Sequence, residues 1–182
     1  MNRWIAKTSF FLTLATLTLA PLADADAALS ANLKLKGSKQ GELRGGSTDK
    51  GRTGTIEVES IAHDFVSPRD ASTGQPTGKR QHKPFVITKP VDRASPMLYA
   101  ALADNENLIE WRLDVFMPSP KGGEALAYSI KLTNATVAKV QLITDEAGNL
   151  HEVVEFTYQK IEWTWSSGAK VSASDTWSTG TP

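Results

Sequence analysis

Apolar and polar side chains change places at every step over long parts of this chain. That alternation limits the fold more than any other feature. In "NLIEWRLDVFMP" Ile109, Trp111, Leu113 and Val115 fall on one side, with Glu110, Arg112 and Asp114 on the other. A period of two belongs to a strand with one buried face. The same rhythm runs through "ALSANLKLKG" (Leu29, Ala31, Leu33, Leu35), "TIEVESIAHDF" (Ile56, Val58, Ile61) and the stretch from His82 to Lys89. "ALAYSIKLTNATVAKVQLITD" reads as two strands or one long bent one, and "KVSASDTW" follows a turn at Ser167–Gly168 as the last. The patterns predict about seven to nine antiparallel strands. The expected fold class is mainly β, an antiparallel β-barrel of two packed sheets.

One segment breaks the rhythm. Met97, Leu98, Ala101 and Leu102 recur at helical spacing. Ser95 is placed to accept bonds from the first free amides, and Pro96 stands where a helix tolerates proline. One short flanking α-helix is therefore expected over Ser95–Ala103. "HEVVEFTYQKIEWTW" changes phase: Val154, Phe156 and Tyr158 are even-numbered, whereas Ile161, Trp163 and Trp165 are odd. That slip predicts a bulge near Gln159–Lys160. Five glycines between Gly41 and Gly54 mark a loop. Val66 to Gln81 is polar, rich in glycine and proline, and longer than the roughly 12–15 residues that compact domains tolerate without purpose.

The N-terminus has a different character. Arg3 and Lys7 precede the 13-residue apolar run "TSFFLTLATLTLA", and small residues follow at Ala23, Ala25 and Ala27. This is the layout of a secretory leader over residues 1–27, with cleavage expected after Ala25 or Ala27 and one domain over 28–182. A spanning helix needs about 20 apolar residues, so no stable membrane anchor is expected. Cysteine is absent, so burial or subunit assembly must hold the exported body without disulfides. Lys and Arg total 20, as do Asp and Glu, and the leader carries two of each sign, so the body stays neutral. Nucleic-acid binding, which needs a basic surplus, is not expected.

Catalytic chemistry finds little support. His63, His82 and His151 lack metal-ligand spacing, and there is no G-x-S-x-G elbow. "GGSTDKGRTG" has glycines but not the GK[ST] ending that cradles phosphate. The expectation is no catalytic, metal or cofactor site, hence no enzyme. Trp163 and Trp165 share a face with Ile161 and read as core or interface anchors. Two functions fit these residues: a structural, self-assembling protein, or an exported monomeric β-barrel that binds a small ligand or effector.

Three stretches carry a family likeness. "GKRQHKPFVITKPVDRASPMLYAAL" and "YQKIEWTWSSGAKVSASDTW" resemble the two signature regions of Hcp, the tube protein of the type VI secretion system. "GSTDKGRTGTIEVESIAHD" is similar to that family's early loop and second strand, and order and spacing agree from Ala28 to Ser178. The resemblance implies a small β-barrel whose helix forms a lateral wall of a ring of six copies. It further implies rings that stack into a tube and carry small effectors. Partners would be copies of the chain, components of the secretion machine and effectors. The loop from Ser67 to Gln81 stands where the family has an arm that reaches a neighbouring subunit or ring. Its expected interface residues are Thr73, Gly74, Gln75, Pro76, Thr77, Gly78, Lys79 and Arg80. Tube-building members generally lack a cleavable leader, so residues 1–27 depart from the pattern. They imply a secreted or periplasmic location.

Overall fold

A computed structural model describes residues 29–177; the expected leader and its cleavage positions, Ala25 and Ala27, lie outside them. The first strands are β1 (Ser30–Gly37), β2 (Gly41–Leu43), β3 (Ile56–Val58), β4 (Ser60–Ala62), β5 (Phe65–Val66), β6 (Gln81–His82) and β7 (Phe85–Pro90). The helix α1 (Ser95–Ala103) follows, then β8 (Leu108–Pro118), β9 (Glu124–Thr133) and β10 (Thr136–Thr144). β11 (Leu150–Thr157), β12 (Lys160–Trp165) and β13 (Val171–Thr176) complete the described residues. The strand count exceeds expectation because runs such as Ile56–Ala62 are cut into three-residue pieces.

One sheet runs β13-β12-β9-β8-β1, with β2 and β3 sharing the outer edge of β1; a second runs β10-β11-β7-β4, and β5-β6 form a ribbon. Every pairing is antiparallel. The two large sheets pack face to face over one core, as expected, although among the described residues their edges do not pair into a closed barrel. The chain instead bends from sheet to sheet at corners, the usual joint of such packings.

Two of those corners sit side by side. β9 leaves for β10 through Asn134, whose φ of 49° lies in the left-handed region that asparagine tolerates. β12 receives the chain from β11 at Gln159. The Asn134 amide donates to Gln159 Oε1 at 2.6 Å, and the Gln159 N–H donates to the Thr133 carbonyl at 3.0 Å. This corrects the expected bulge at Gln159–Lys160. The even phase of β11 ends at Tyr158, just past one sheet, and Ile161 opens the odd phase in the other, so both phases face the shared interior.

A true bulge lies elsewhere. Gly37 pairs with Leu108 and Lys36 with Glu110, so Ile109 is an extra residue on β8. Ile109 is 58% exposed, against the expectation from alternation, and Leu108 fills the interior instead. Trp111 and Leu113 do face inward. Trp111 meets Phe85 and Phe156 edge-on, with centroids 5.0 and 5.5 Å apart, the arrangement aromatic quadrupoles favour.

The helix matches its expected span end to end and lies against β10, with Leu98 and Ala101 buried. Its capping differs. Ala94 is the N-cap and Ser95 the first helical residue, with Pro96 in the first turn as anticipated. The Ser95 hydroxyl is drawn away from the helix amides by a buried charge pair beneath it. It donates to Glu152 Oε2 at 2.6 Å and accepts from the Asp92 N–H at 3.0 Å and Lys89 Nζ at 3.1 Å. Lys89 and Glu152, 0% and 1% exposed, meet at 3.0 Å, and Asp92 lies 2.9 Å from the same ammonium.

A second buried carboxylate closes the far end of the helix. Glu106 accepts from the Lys39 N–H (2.5 Å), the Gln40 N–H (2.9 Å) and the Gln40 side-chain amide (2.7 Å). Its own N–H donates to the Ala101 carbonyl at 2.8 Å, after Asn105 has turned the chain at φ 48°. Those donors hold its carboxyl below the usual range despite burial, which acts in the opposite direction.

Candidate functional site

The expected interface residues belong to an arm, and the arm has more order than a polar loop requires. β5 and β6 pair as its stem through Phe65–His82 and Val66–Gln81, and an isolated bridge joins Arg69 to Pro76 further out. Asp70 organises the tip. Its Oδ1 accepts from the N–H and hydroxyl of Ser72 (3.0 and 2.8 Å) and of Thr73 (2.8 and 2.9 Å). Those donors, the Ser72 hydroxyl foremost, lower its carboxyl to about 2. Gly74 turns the chain at φ 71°, a conformation glycine adopts without strain, and its N–H donates to the Asp70 carbonyl at 2.9 Å. Thr73, Gly74, Gln75, Pro76, Thr77, Gly78 and Lys79 are all exposed along the tip and return leg. Arg80 differs. It folds back from the arm as a two-pronged donor to the Asp175 carboxylate on β13.

That ion pair opens a hydrogen-bonded chain into the body. His82 Nε2 lies 3.0 Å from Asp175 Oδ2, its Nδ1 2.9 Å from the Tyr158 hydroxyl, and that hydroxyl 2.7 Å from His63 Nε2. Asp175 is held below the ordinary carboxylate range chiefly by Arg80, and Arg80 is raised in turn by Asp175. Burial lowers His63, with His82 adding to the effect. Burial also raises Tyr158, helped by the Asp175 charge. Aromatic rings seal the chain: Trp177 stacks on His82 at 5.5 Å, and Phe65 approaches His82 at 4.5 Å and Trp163 at 6.2 Å.

The order carboxylate–imidazole–hydroxyl is that of acid–base machinery, and its setting decides the chemistry. Tyr158 and His82 are each 5% exposed. A phenol pushed upward by burial is a poor nucleophile. These bonds fasten the arm's return leg to the sheet. Trp163 packs within this cluster, whereas Trp165 lies exposed beyond it. His151 stands apart, between Glu59 (2.7 Å) and Asp145 (3.2 Å). Among the described residues no group of three His, Asp or Glu side chains, this one included, is arranged to hold a metal ion.

Sequence reasoning missed Asp175, Tyr158 and Asp70 as the arm's supports. Only Asp70, ahead of Ser72, Thr73 and Gly74, carried a local turn signal. Asp175 and Arg80 are too far apart in sequence for any pattern to join them.

Residues 33–165 match the family described as "Type VI secretion system effector, Hcp". The chain belongs to the Hcp family. A relative in Pseudomonas aeruginosa named "Major exported protein" is 34% identical over 166 residues, covering 82% of this chain and 96% of the relative. The Hcp1 protein from E. coli EAEC 042 superposes with a TM-score of 0.75 at 34% identity, covering 82% of this chain and 99% of that one. The secreted protein Hcp3 from Pseudomonas aeruginosa superposes at 0.70 with 28% identity, covering 84% and 100%. As an Hcp-family member the chain is a type VI secretion tube component, the role its signature stretches implied.

Proposed function

We propose that the chain works without catalysis, as an exported subunit of a six-membered ring. Each subunit's arm bears on a neighbouring subunit or ring through Thr73–Arg80. Rings formed this way stack into a tube with room for small effectors. A head-to-tail contact between identical copies closes into a ring when its rotation divides a full turn evenly, and stacking then repeats it along the axis. A body at formal net charge +0 lets copies approach without mutual repulsion. Residues 1–27 would carry the chain across the inner membrane, with removal after Ala25 or Ala27.

The observation that carries this reading is the arm itself. Seven consecutive exposed residues are held in one shape by Asp70 at the tip and by Arg80, His82 and Tyr158 at the root. A loop fixed in this way meets a partner without first losing chain entropy. The test is sedimentation and negative-stain microscopy of the natural protein, with mass spectrometry of its N-terminus. Rings are expected, and deletion of Ser72–Arg80 should leave a folded body that associates more weakly. A strict monomer at every concentration would refute the ring. Unchanged assembly after the deletion would remove the arm from the contact.

A further inference from the structure

A ring built head to tail asks each copy for two different patches that fit one another. Resting on the ring reading above, the fold offers such a pair. β9 and β10 run on through Asn134, and β12 and β11 run beside them in the opposite sense. Together they make one bent ladder from Glu124 to Thr144, with its joint at Asn134–Gln159.

At one end of the ladder, Val115, Tyr128, Trp165 and Val171 stand in one cross-strand row. Side chains alternate across a strand, so this row shares the inner face with the buried Leu113, Ile130 and Ile161. Val115 and Tyr128 are partly buried against the core, but the outer half of the row is left uncovered, with Trp165 39% and Val171 63% exposed. At the other end, Leu142 and Leu150 are 54% and 50% exposed. With Val91, Pro96 and Tyr99 they line a cleft of about 440 Å³ beside the helix start. Scattered exposed apolar residues need no explanation, but clusters of this kind mark contact surfaces.

The charges at the two ends are complementary. Lys170, exposed in the β12–β13 turn, adjoins Val171, and Glu146, exposed in the β10–β11 turn, lies between Leu142 and Leu150 in the chain. Among the described residues neither takes part in an ion pair. We infer that the Trp165–Val171 ledge of one copy seats in the Leu142–Leu150–Tyr99 cleft of the next, with Lys170 facing Glu146 across the contact. The apolar groups supply attraction, and the charge pair sets the direction. A copy offering cleft to cleft or ledge to ledge would oppose like charges.

Absence of cysteine makes the test clean. Trp165→Cys and Leu142→Cys placed in one full-length chain should oxidise to a covalent ladder ending at ring size. An equal mixture of the two single variants should give dimers only. Lys170→Glu should weaken association about 2- to 5-fold, the scale of an exposed ion pair, and adding Glu146→Lys in the same chain should restore it. Circular dichroism confirms folding, and the charge variants decide the matter if a cysteine variant does not fold. Rings under negative stain without cross-linking or charge rescue would overturn this contact and leave the ring standing. Wild-type protein that never associates would overturn both.

Discussion

Removing the Lys89 ammonium should expose the energetics beneath the helix. Lys89 and Glu152 are withdrawn from water and lie opposite one another in register on β7 and β11, with Ser95 bridging from α1. Lys89→Met leaves the Glu152 carboxylate buried with one hydroxyl donor among the described contacts. Breaking a buried pair from one side costs about 3–5 kcal/mol. For a domain near 150 residues, each kcal/mol moves Tm by about 2–4 °C, so a fall of roughly 6–20 °C is expected. Replacing both partners, as Lys89→Met with Glu152→Leu, removes the stranded charge. Most of the loss should return, since two-sided apolar replacement of such pairs is often neutral. Urea unfolding of the four proteins, at one concentration so that association is held constant, gives the coupling energy directly. A single-variant loss under about 1 kcal/mol, or a double variant no better than the singles, would show that the pair is not desolvated as described.

Other expectations follow from particular contacts. A methyl group at Gly37 would run into the Glu106 carboxylate, so Gly37→Ala should destabilise by about 1–3 kcal/mol in the same unfolding assay. His151 is raised above its ordinary value by Asp145 and then Glu59. Its contribution should be complete below about pH 6.5 and vanish as pH rises through the folded value. The Tm gap between wild type and His151→Asn should therefore be wider at pH 5.5 than at pH 8.5. Asp70 is lowered to about 2, so the arm's turn should persist in acid until pH falls towards that value. Asp70→Ala should hasten proteolytic nicking between residues 67 and 80 while leaving the body's Tm unchanged, as digestion and calorimetry would show.

Local rules served well where one residue's surroundings come from its own segment. The helix over Ser95–Ala103 was legible because helical spacing and an early proline are local. Trp111 and Leu113 were assigned inward correctly because alternation holds within a strand. Failures arose where a second segment decides. Ile109 is displaced because Lys36 pairs with Glu110 and Gly37 with Leu108, which no reading of β8 alone includes. The slip between Tyr158 and Ile161 was visible, but a bulge within one sheet and a passage between two produce the same sequence pattern. Ser95 had the chemistry of a cap and was claimed by a charge pair whose carboxylate, Glu152, lies 57 positions away. A subtler signal went unused. Lys89 keeps phase with Phe85 and Ile87, and Glu152 with Val154 and Phe156. Opposite charges at core positions of two strands suggest that those strands are neighbours.

The joint at Asn134 and Gln159 matters beyond the single subunit. Two adjacent strands leave one sheet for the other at that point, so one hydrogen-bonded elbow governs the splay between the tips of the molecule. In a closed circle every member repeats the same turn, and a small error in splay accumulates with each copy until the last gap is too wide or too narrow. In the ring proposed above, this elbow would help set the angle between one copy's two contact patches, and so bear on how many copies close the circle.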